Sequence, residues 1–313
     1  MRNVRNVLFT MSLALIGALA SGCGTSGDSS DSASEAQPTA LALDASALTP
    51  LANDFHYEGW ILVGGEALTT GKFNVTEEGV IIDLAGEVIP DGLFEVGVDL
   101  SDATDVILTI EPAGDTDTIP SETHYVAGAL EEGSAHLTVA SGAALGDDFL
   151  TANGTYILAT PTDGADTNER SGVWFVDISG DPIAASLDLP ELPAGWEYEG
   201  WAVIDGQPVT TGRFTARDMA DSFNGFSGDE MAPPFPGEDF LINAPEGALF
   251  PTELAEGKVV ISIEPSPDDS PAPFLLKPLV AEVPADAIAH AAQSLDNHAE
   301  SFPTMTATLV VVD

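Results

Sequence analysis

Residues 57–73 read YEGWILVGGEALTTGKF, and residues 198–214 read YEGWAVIDGQPVTTGRF. The two copies align without a gap at an offset of 141 residues. Self-similarity of this kind indicates that one structural unit was duplicated, so the fold is predicted one unit at a time. In each copy a Gly-Gly or Asp-Gly pair separates two apolar runs, which is typical of a β-hairpin with a two-residue turn.

A later strand is duplicated as well. Residues 106–112 read VILTIEP and residues 259–265 read VVISIEP, at an offset of 153 residues. The second unit has therefore gained twelve residues between hairpin and strand, relative to the first. The extra residues fall in 218–239, a Gly- and Pro-rich stretch that predicts a loop. We expect this insertion to carry what is particular to the protein.

The spacing of apolar runs predicts an all-β fold. Short β-rich runs, separated by Gly, Asp and Pro, are typical of sandwiches and barrels. We expect two tandem β-sandwich (Ig-like) domains, at 51–183 and 184–313, with a closing strand over 305–312. An Ala-rich stretch at 284–300 predicts one short helix. In the first unit the predicted strands cover 57–63, 68–75, 79–84, 93–100, 106–111, 123–130, 135–139, 155–159 and 173–178.

The hairpin motif has a structural interpretation that needs no ligand. A turn at Asp205-Gly206 places Ile204 opposite Gln207, Trp201 opposite Thr210 and Glu199 opposite Gly212. We then expect the tryptophan ring to cover the diagonal glycine, and the phenylalanine to enter the core. The structural motif residues are Tyr57, Gly59, Trp60, Gly71 and Phe73 in the first copy, and Tyr198, Gly200, Trp201, Gly212 and Phe214 in the second.

The same motif leaves a functional alternative open. Its Trp and Tyr side chains could form a platform for a glycan or a peptide, although aromatic side chains mostly bury area in cores. Glu58 and Glu199 occupy matched positions, and a charged residue on a solvent-facing side of the strand explains both. We therefore expect no paired acidic site there.

The N-terminus resembles that of bacterial lipoproteins. Arg2 and Arg5 precede an apolar run, and small residues then lead to Cys23, the only cysteine. The run is too short for a confident membrane span and is typical of a signal peptide over residues 1–22. The resemblance implies that Cys23 becomes the acylated N-terminus, with palmitate-type chains as the membrane anchor. An ordinary secretory signal is the alternative.

The residues after the lipid cysteine predict a flexible linker and a membrane location. Positions 23–50 are rich in Gly, Ser, Asp and Ala and predict a flexible linker. By resemblance to lipoprotein sorting, Gly24 after the lipid cysteine implies the outer membrane, or otherwise the outer face of the cytoplasmic membrane. No later segment is long and apolar enough to span a bilayer.

The charge excludes one class of partner. Lys and Arg number 8 against 51 Asp and Glu, a formal net charge of −43. Nucleic acid would be repelled, so we predict no nucleic-acid partner. A solvated surface suited to salty water explains the acidity. Calcium binding is the alternative, but none of the Asp-rich loops at 115–117, 163–169 and 268–269 follows the EF-hand spacing.

The duplicated hairpin together with the strand ending in Ile-Glu-Pro resembles the extracytoplasmic C-terminal domain of RskA-type anti-sigma-K factors. The stretch 189–195, LPELPAG, also fits the entry to that domain. The resemblance implies the β-rich fold. In that family a membrane span joins the domain to a cytoplasmic segment that holds a sigma factor. The sequence printed here contains neither, so direct sigma-factor inhibition is not implied.

No catalytic pattern is present in the sequence. The histidines lack zinc spacing, and the chain has no nucleophile elbow, phosphate loop or dinucleotide fingerprint. We predict no enzyme, no catalytic residue, no cofactor and no metal site. The predicted function is binding, sensing or interaction in the envelope, with an envelope protein as a partner. The alternatives are an extracytoplasmic accessory of anti-sigma regulation and a glycan-active or glycan-binding surface protein. The histidines are His56, His124, His136, His290 and His298.

Overall fold

The computed structural model describes residues 36–165, 167–267 and 270–312. Within these ranges the chain is all-β, and helical residues are confined to two single-turn 3₁₀ segments, Pro90–Gly92 and Ala299–Ser301. Runs rich in Val, Ile, Leu and Thr form the longer strands, as β-propensity favours.

The strands lie close to the predicted runs. The first nine are β1 (Ala40–Asp44), β2 (His56–Val63), β3 (Glu66–Val75), β4 (Ile81–Ile82), β5 (Leu93–Glu95), β6 (Ala103–Glu111), β7 (His124–Glu131), β8 (Ser134–Thr138) and β9 (Asn153–Leu158). The next six are β10 (Gly172–Trp174), β11 (Val176–Asp177), β12 (Ala184–Ala185), β13 (Leu187–Asp188), β14 (Trp196–Ile204) and β15 (Gln207–Phe214). The last six are β16 (Gly237–Asp239), β17 (Lys258–Pro265), β18 (Leu276–Glu282), β19 (Gln293–Ser294), β20 (Asp296–Asn297) and β21 (Thr304–Val310).

The strands form several antiparallel sheets. One sheet has the order β4-β3-β2-β6-β7-β8-β21-β1-β5, and the sheet of the second hairpin has the order β15-β14-β17-β18-β20. A third sheet follows the order β13-β9-β10-β16, with β19 also paired to β9, and β11 pairs β12. The two hairpins occupy equivalent places, because β2-β3 pairs with β6 as β14-β15 pairs with β17.

The two-residue hairpin turns form as predicted. Asp205 and Gly206 both have positive φ, at 51° and 83°, and Gly64 and Gly65 have φ of 61° and 86°. Positive φ at both central residues is the condition for a type I′ turn, which matches the twist of the flanking strands. The turn sets Ile204 opposite Gln207 and Trp201 opposite Thr210, as expected.

Beyond Trp201 the predicted pairing is wrong by one residue. A β-bulge between Gly200 and Trp201 places Gly200 opposite Gly212 and Glu199 opposite Arg213. The first hairpin has the same bulge between Gly59 and Trp60. A bulge adds one residue to one strand, which period-two counting from the turn does not detect.

The ends of the described chain meet in the larger sheet. Strand β21, from the end of the second predicted domain, pairs with β8 of the first and with β1. Strand β1 lies in the segment assigned by composition to the linker, and its leucines Leu41 and Leu43 are buried. The described residues from Gln37 onward form one compact unit. The boundary near 184 stays a prediction.

The predicted helix at 284–300 is wrong. The stretch contains short turns at 285–286 and 289–290, followed by β19, β20 and the second 3₁₀ segment. Ile288, a large apolar residue within the stretch, is 70% exposed. The main-chain N–H groups of His290 and Leu295 instead donate to Leu158 and Gly154. Pairing to β9 therefore outweighs the modest helical preference of an Ala-rich stretch.

Candidate functional site

Both tryptophans of the duplicated motif are buried and hold a hydrogen-bonded network. Trp60 Nε1 donates to Thr109 Oγ1 at 2.9 Å, and Trp201 Nε1 donates to Ser262 Oγ at 2.8 Å. Each hydroxyl donates in turn to the glutamate two residues further along its strand, Glu111 or Glu264. The network explains why Trp, Thr or Ser, and Glu recur in both copies, since a buried indole N–H needs an acceptor.

The motif glutamates are also buried, so the prediction of a solvent-facing position is wrong. Glu58 is 2% exposed and Glu199 is 5% exposed. Each accepts a hydrogen bond from a threonine hydroxyl across the hairpin, Thr69 or Thr210. Burial raises the pKa of Glu58, while Thr69 and Lys72 partly offset the rise. Lys72 Nζ lies 3.6 Å from Glu58 Oε2 and Arg213 Nε lies 3.8 Å from Glu199 Oε2, contacts that strand alternation alone does not reveal.

The expected covering of glycine by tryptophan is not observed. A Cβ built on Gly71 would meet the Phe94 ring at 3.3 Å, and one built on Gly212 would meet Asp221 Oδ1 at 2.2 Å. The motif phenylalanines do enter the core, and Phe73 is fully buried. The bulge moves the diagonal neighbour away, so the tryptophan instead serves the network on β6 or β17.

The glycine before each tryptophan makes room for a threonine. A Cβ on Gly59 would lie 2.3 Å from Thr70 Oγ1, and one on Gly200 would lie 2.2 Å from Thr211 Oγ1. Because real Cβ atoms do not approach oxygen so closely, only glycine fits at both positions. This constraint belongs to the bulge and gives the conserved spacing of the two copies a structural cause.

The two copies differ in what covers the network. In the first, Trp60 packs in an apolar cluster with Ile107, Ala127 and Ala144. The His124 ring bonds through Nδ1 to the Ala143 carbonyl at 2.8 Å, next to this cluster. The face of the first hairpin is therefore closed by the chain around residues 143–144.

The second hairpin instead borders a cleft of about 730 Å³. Trp201, Thr210 and Arg213 contribute to the cleft from the hairpin. Phe223 and Phe226 contribute from the insertion at 218–239, and Pro271 and Ala272 from the β17–β18 loop. We name this cavity the hairpin cleft. Most of its surface is apolar carbon, and polar groups converge at Thr210 and Arg213, as in many ligand sites.

Arg213 is the cation of the hairpin cleft. Its Nε lies 3.8 Å from Glu199 Oε2, and its side chain is 34% exposed. In the first copy, Lys72 Nζ lies 2.5 Å from Asp115 Oδ2 and 3.6 Å from Glu58 Oε2. Lys72 is also less exposed, at 20%. The second copy therefore holds its cation in a longer ion pair and a more open setting.

A half-buried aspartate, Asp221, holds the two ends of the insertion together. Asp221 accepts hydrogen bonds from the main-chain N–H groups of Phe223 and Gly237, both at 2.8 Å. The Ser222 N–H donates to the Arg213 carbonyl at 2.9 Å. Burial raises the pKa of Asp221 to about 6, despite these donors. Asp221 thus positions Phe223 at the edge of the hairpin cleft.

Two fully buried acids, Glu238 and Asp239, close the insertion. Asp239 accepts from Trp174 Nε1 at 2.7 Å and from both the N–H and the hydroxyl of Thr162. Glu238 accepts from the Ser227 hydroxyl and from the Asp239 N–H. Burial raises the pKa of Glu238 to about 7, and the neighbouring Asp221 charge adds to the rise. The sequence did not predict the burial of Glu238 and Asp239, although these two acids end the insertion at 218–239.

Aromatic packing supports the insertion from behind. The Phe223 and Phe226 rings meet edge to face with centroids 4.8 Å apart, and Phe226 meets Phe250 in the same way at 5.2 Å. The Phe226 carbonyl accepts the N–H groups of Leu241 and Ile242. Edge-to-face pairs are favourable contacts. The insertion is therefore a packed element of this structure, although its sequence predicts a loop.

The remaining predicted positions divide in two. Cys23 lies outside the described residues, as do Asp268 and Asp269 of one candidate calcium loop. In the first such loop, Asp115 binds Lys72. Across the described ranges, no group of three or more His, Cys, Asp or Glu side chains could hold a metal ion. Nor does the part of the chain that the structure describes contain a helix long and apolar enough to cross a membrane.

Compared with protein-family models, curated proteins and solved structures, the chain has no match. The resemblance to RskA-type domains therefore rests on the sequence motifs, namely the hairpin, the Glu-Pro strand and the stretch 189–195, and stays a prediction.

Proposed function

We propose that this chain is a non-enzymatic, lipid-anchored protein of the cell envelope that binds a ligand in the hairpin cleft. In this proposal two related β-sandwich units of the RskA type stand on an acylated Cys23. One unit is a scaffold and the other carries the ligand site. The observation that carries the proposal is the hairpin cleft itself, formed where the second unit departs from the repeat.

The dimensions of the hairpin cleft support a binding role. Its volume of about 730 Å³ is within the range of roughly 300–1,000 Å³ that small-molecule and peptide sites occupy. Its aromatic side chains are held by their own packing, since Phe226 contacts both Phe240 and Phe250. A site that is formed before binding loses little entropy when its ligand arrives.

The chemistry of the hairpin cleft supports binding over catalysis. Glu199, its buried carboxylate, accepts from Thr210 and pairs with Arg213. A general base has to reach a substrate proton with a free lone pair, and a nucleophile needs an activating base beside it. Thr210 has a carboxylate neighbour, but that carboxylate is the same Glu199 that already pairs with Arg213. We therefore assign these groups to holding the hairpin.

The ligand site is tested with N-phenyl-1-naphthylamine, a neutral apolar fluorophore that brightens on leaving water. We expect saturable binding to the wild-type chain. Ala272→Trp fills the hairpin cleft from an exposed position and abolishes binding. Ala113→Trp, in the corresponding loop of the first unit, is the matched control and leaves binding unchanged. Equal binding by wild type and Ala272→Trp would place the dye elsewhere and contradict the proposal.

The anchor is tested separately, by expressing the full chain and a Cys23→Ser variant in a diderm bacterium. We expect wild type in the membrane fraction, with an N-terminal peptide that starts at an acylated Cys23 in mass spectrometry. The Cys23→Ser chain is expected in the soluble fraction. An unmodified Cys23 inside a longer N-terminal peptide would remove the anchor from the proposal.

A further inference from the structure

The edge of the second hairpin sheet is bordered by the hairpin cleft. Strand β15 is the terminal strand of its sheet and, within the described residues, pairs only with β14. Six of its residues line the hairpin cleft, between Gln207 and Arg213. Because a peptide in β-conformation advances about 3.3 Å per residue, an extended segment of a few residues would lie beside the part of this strand that borders the cavity.

On that edge, three main-chain groups of β15 have no main-chain partner among the residues that the structure describes. Because Ile204 and Gln207 flank the two-residue turn and bond to each other, the main-chain groups of Pro208 and Thr210 face away from β14. Pro208 has no N–H, so the groups that an added strand could bond are the Pro208 carbonyl and the N–H and carbonyl of Thr210. Further along, the Gly212 N–H donates to Thr210 Oγ1 at 2.9 Å, and the Arg213 carbonyl accepts from Ser222. The open part of the edge is thus short and ends where the insertion begins.

The insertion and the segment after it are acidic at the surface. From position 218 to 246 the chain has seven acidic residues and no Lys, Arg or His. Four of these acids are exposed, namely Asp218, Asp229, Glu230 and Glu246, while the charged residues lining the cleft, Arg213 and Glu199, form a pair. The described basic side chains already have acceptors: five of them form ion pairs. The sixth, Lys277, donates to the Phe274 carbonyl at 2.6 Å. The surplus of carboxylates therefore has no matching cation within the fold, and the field attracts a positively charged partner.

We infer that the hairpin cleft binds a basic peptide segment in extended conformation, which adds to the edge of β15 with its apolar side chains against Phe223, Pro271 and Ala272. This inference rests on the proposed function, because it names the ligand class of the same site. Addition of a strand to an open edge supplies main-chain hydrogen bonds, and alternate side chains supply specificity. The acidic surroundings raise the association rate and the affinity of a cationic chain.

The probe is the peptide acetyl-(Lys-Val)₃-amide, with acetyl-(Glu-Val)₃-amide as its charge-reversed partner, both measured by calorimetry on the full chain. We expect the lysine peptide to bind at least about tenfold more tightly than the glutamate peptide at low salt, with the difference shrinking as salt screens the charges. Ala272→Trp abolishes binding of the lysine peptide, and Ala113→Trp does not change it.

Strand addition is tested by N-methylation of alternate amides in the lysine peptide. Alternate N–H groups of a strand face opposite edges, so only one of the two methylated isomers should lose binding, by about tenfold or more. Equal effects in both isomers, or displacement of the peptide by spermidine at matched charge, would overturn strand addition. Equal affinity of the lysine and glutamate peptides would overturn the charge selection. If the neutral dye still binds while neither peptide does, the proposed function survives and this inference fails.

Discussion

The two hairpins share one internal network and differ in what lies over it. In both, a buried tryptophan donates to a hydroxyl on the neighbouring strand, and a buried glutamate accepts from a threonine across the hairpin. The first hairpin is closed by the chain around residues 143–144, whereas the second borders a cavity of about 730 Å³. The recurring residues therefore build the scaffold, and the residues that do not recur determine the surface.

The difference originates in the insertion at 218–239. In the first unit, Phe94 of a short strand lies against Gly71, and its ring is 5.3 Å from Phe73. In the second unit, Asp221 occupies the matching place against Gly212. The Asp221 carboxylate accepts hydrogen bonds from the main-chain N–H groups of Phe223 and Gly237. These bonds place Phe223 beside the cavity. One unit thus uses apolar packing where the other uses a half-buried carboxylate.

The largest effect is expected from the tryptophans. Trp60→Ala and Trp201→Ala should each lower the free energy of unfolding, by about 3–5 kcal/mol for a fully enclosed aromatic side chain. We expect the greater loss for Trp60, because Trp201 borders an existing cavity. Urea unfolding followed by circular dichroism measures both.

Binding of the neutral dye to the two tryptophan variants also distinguishes the two hairpins. Trp201→Ala should change dye binding to the hairpin cleft, while Trp60→Ala should leave it as in wild type. Ile119→Ala, at a side chain that is 71% exposed, is the stability control. A larger loss for Trp201→Ala than for Trp60→Ala would show that the second hairpin is the more tightly packed one.

The next effect is a pH dependence of stability that originates in the insertion. The raised pKa of Glu238, about 7, means that the folded chain binds a proton that the unfolded chain releases between pH 4.5 and 7. Stability should therefore fall as pH rises through this window and stay level above it. Asp221, with a pKa of about 6, acts in the same direction at lower pH, and the raised pKa of Asp239 adds to it.

Glu238→Gln tests this effect, because glutamine resembles the protonated acid. One pKa unit corresponds to about 1.4 kcal/mol, so the variant should be more stable than wild type at pH 8 by up to about 3 kcal/mol. The gain should disappear near pH 4.5, and Glu87→Gln on the first unit should show no gain. Melting temperatures across pH 4–8 measure it. A variant that is less stable than wild type at pH 8 would show that the Ser227 hydrogen bond requires the ionised group.

Sequence patterns predicted much of the sheet structure and little of the site. The positions of the hairpins and of β6 and β17 follow from local apolar runs and turn residues, which is why they were predictable. The bulge after Gly59 and Gly200 was not predictable. A threonine hydroxyl occupies the space beside each glycine, and this contact is visible only in the folded structure. The helix at 284–300 was mispredicted because the pairing of this stretch with β9 is a long-range contact, which local composition does not report.

The buried acids show the same limit. Among 51 acidic residues, sequence alone does not distinguish Asp221 or Glu238 from exposed neighbours. For the acids of the tryptophan network, Glu111 and Glu264, the sequence did contain a signal. A hydroxyl residue, Thr109 or Ser262, recurs two residues before each Glu-Pro pair, and it accepts the tryptophan N–H. The joining of β21 to β8 had no local signal, since a closing strand is compatible with either sheet.

The smallest effect is expected from the hairpin cations. Lys72→Met leaves both Glu58 and Asp115 without their ion pair, and Glu58 is almost fully buried. Arg213→Met removes a longer and more exposed contact with Glu199. We expect a loss of about 1–2 kcal/mol for Lys72→Met and of less than about 1 kcal/mol for Arg213→Met, because exposed pairs are screened by solvent.

Salt and the ligand separate the two cations further. The loss for Arg213→Met should shrink in 0.5 M NaCl, whereas the loss for Lys72→Met should largely persist, since buried pairs are screened less. Removing the cation from the hairpin cleft should also strengthen binding of the lysine peptide, because Arg213 repels a positively charged ligand. Weaker binding by Arg213→Met would mean that the arginine holds the ligand rather than the hairpin, and that its partner carries a negative group.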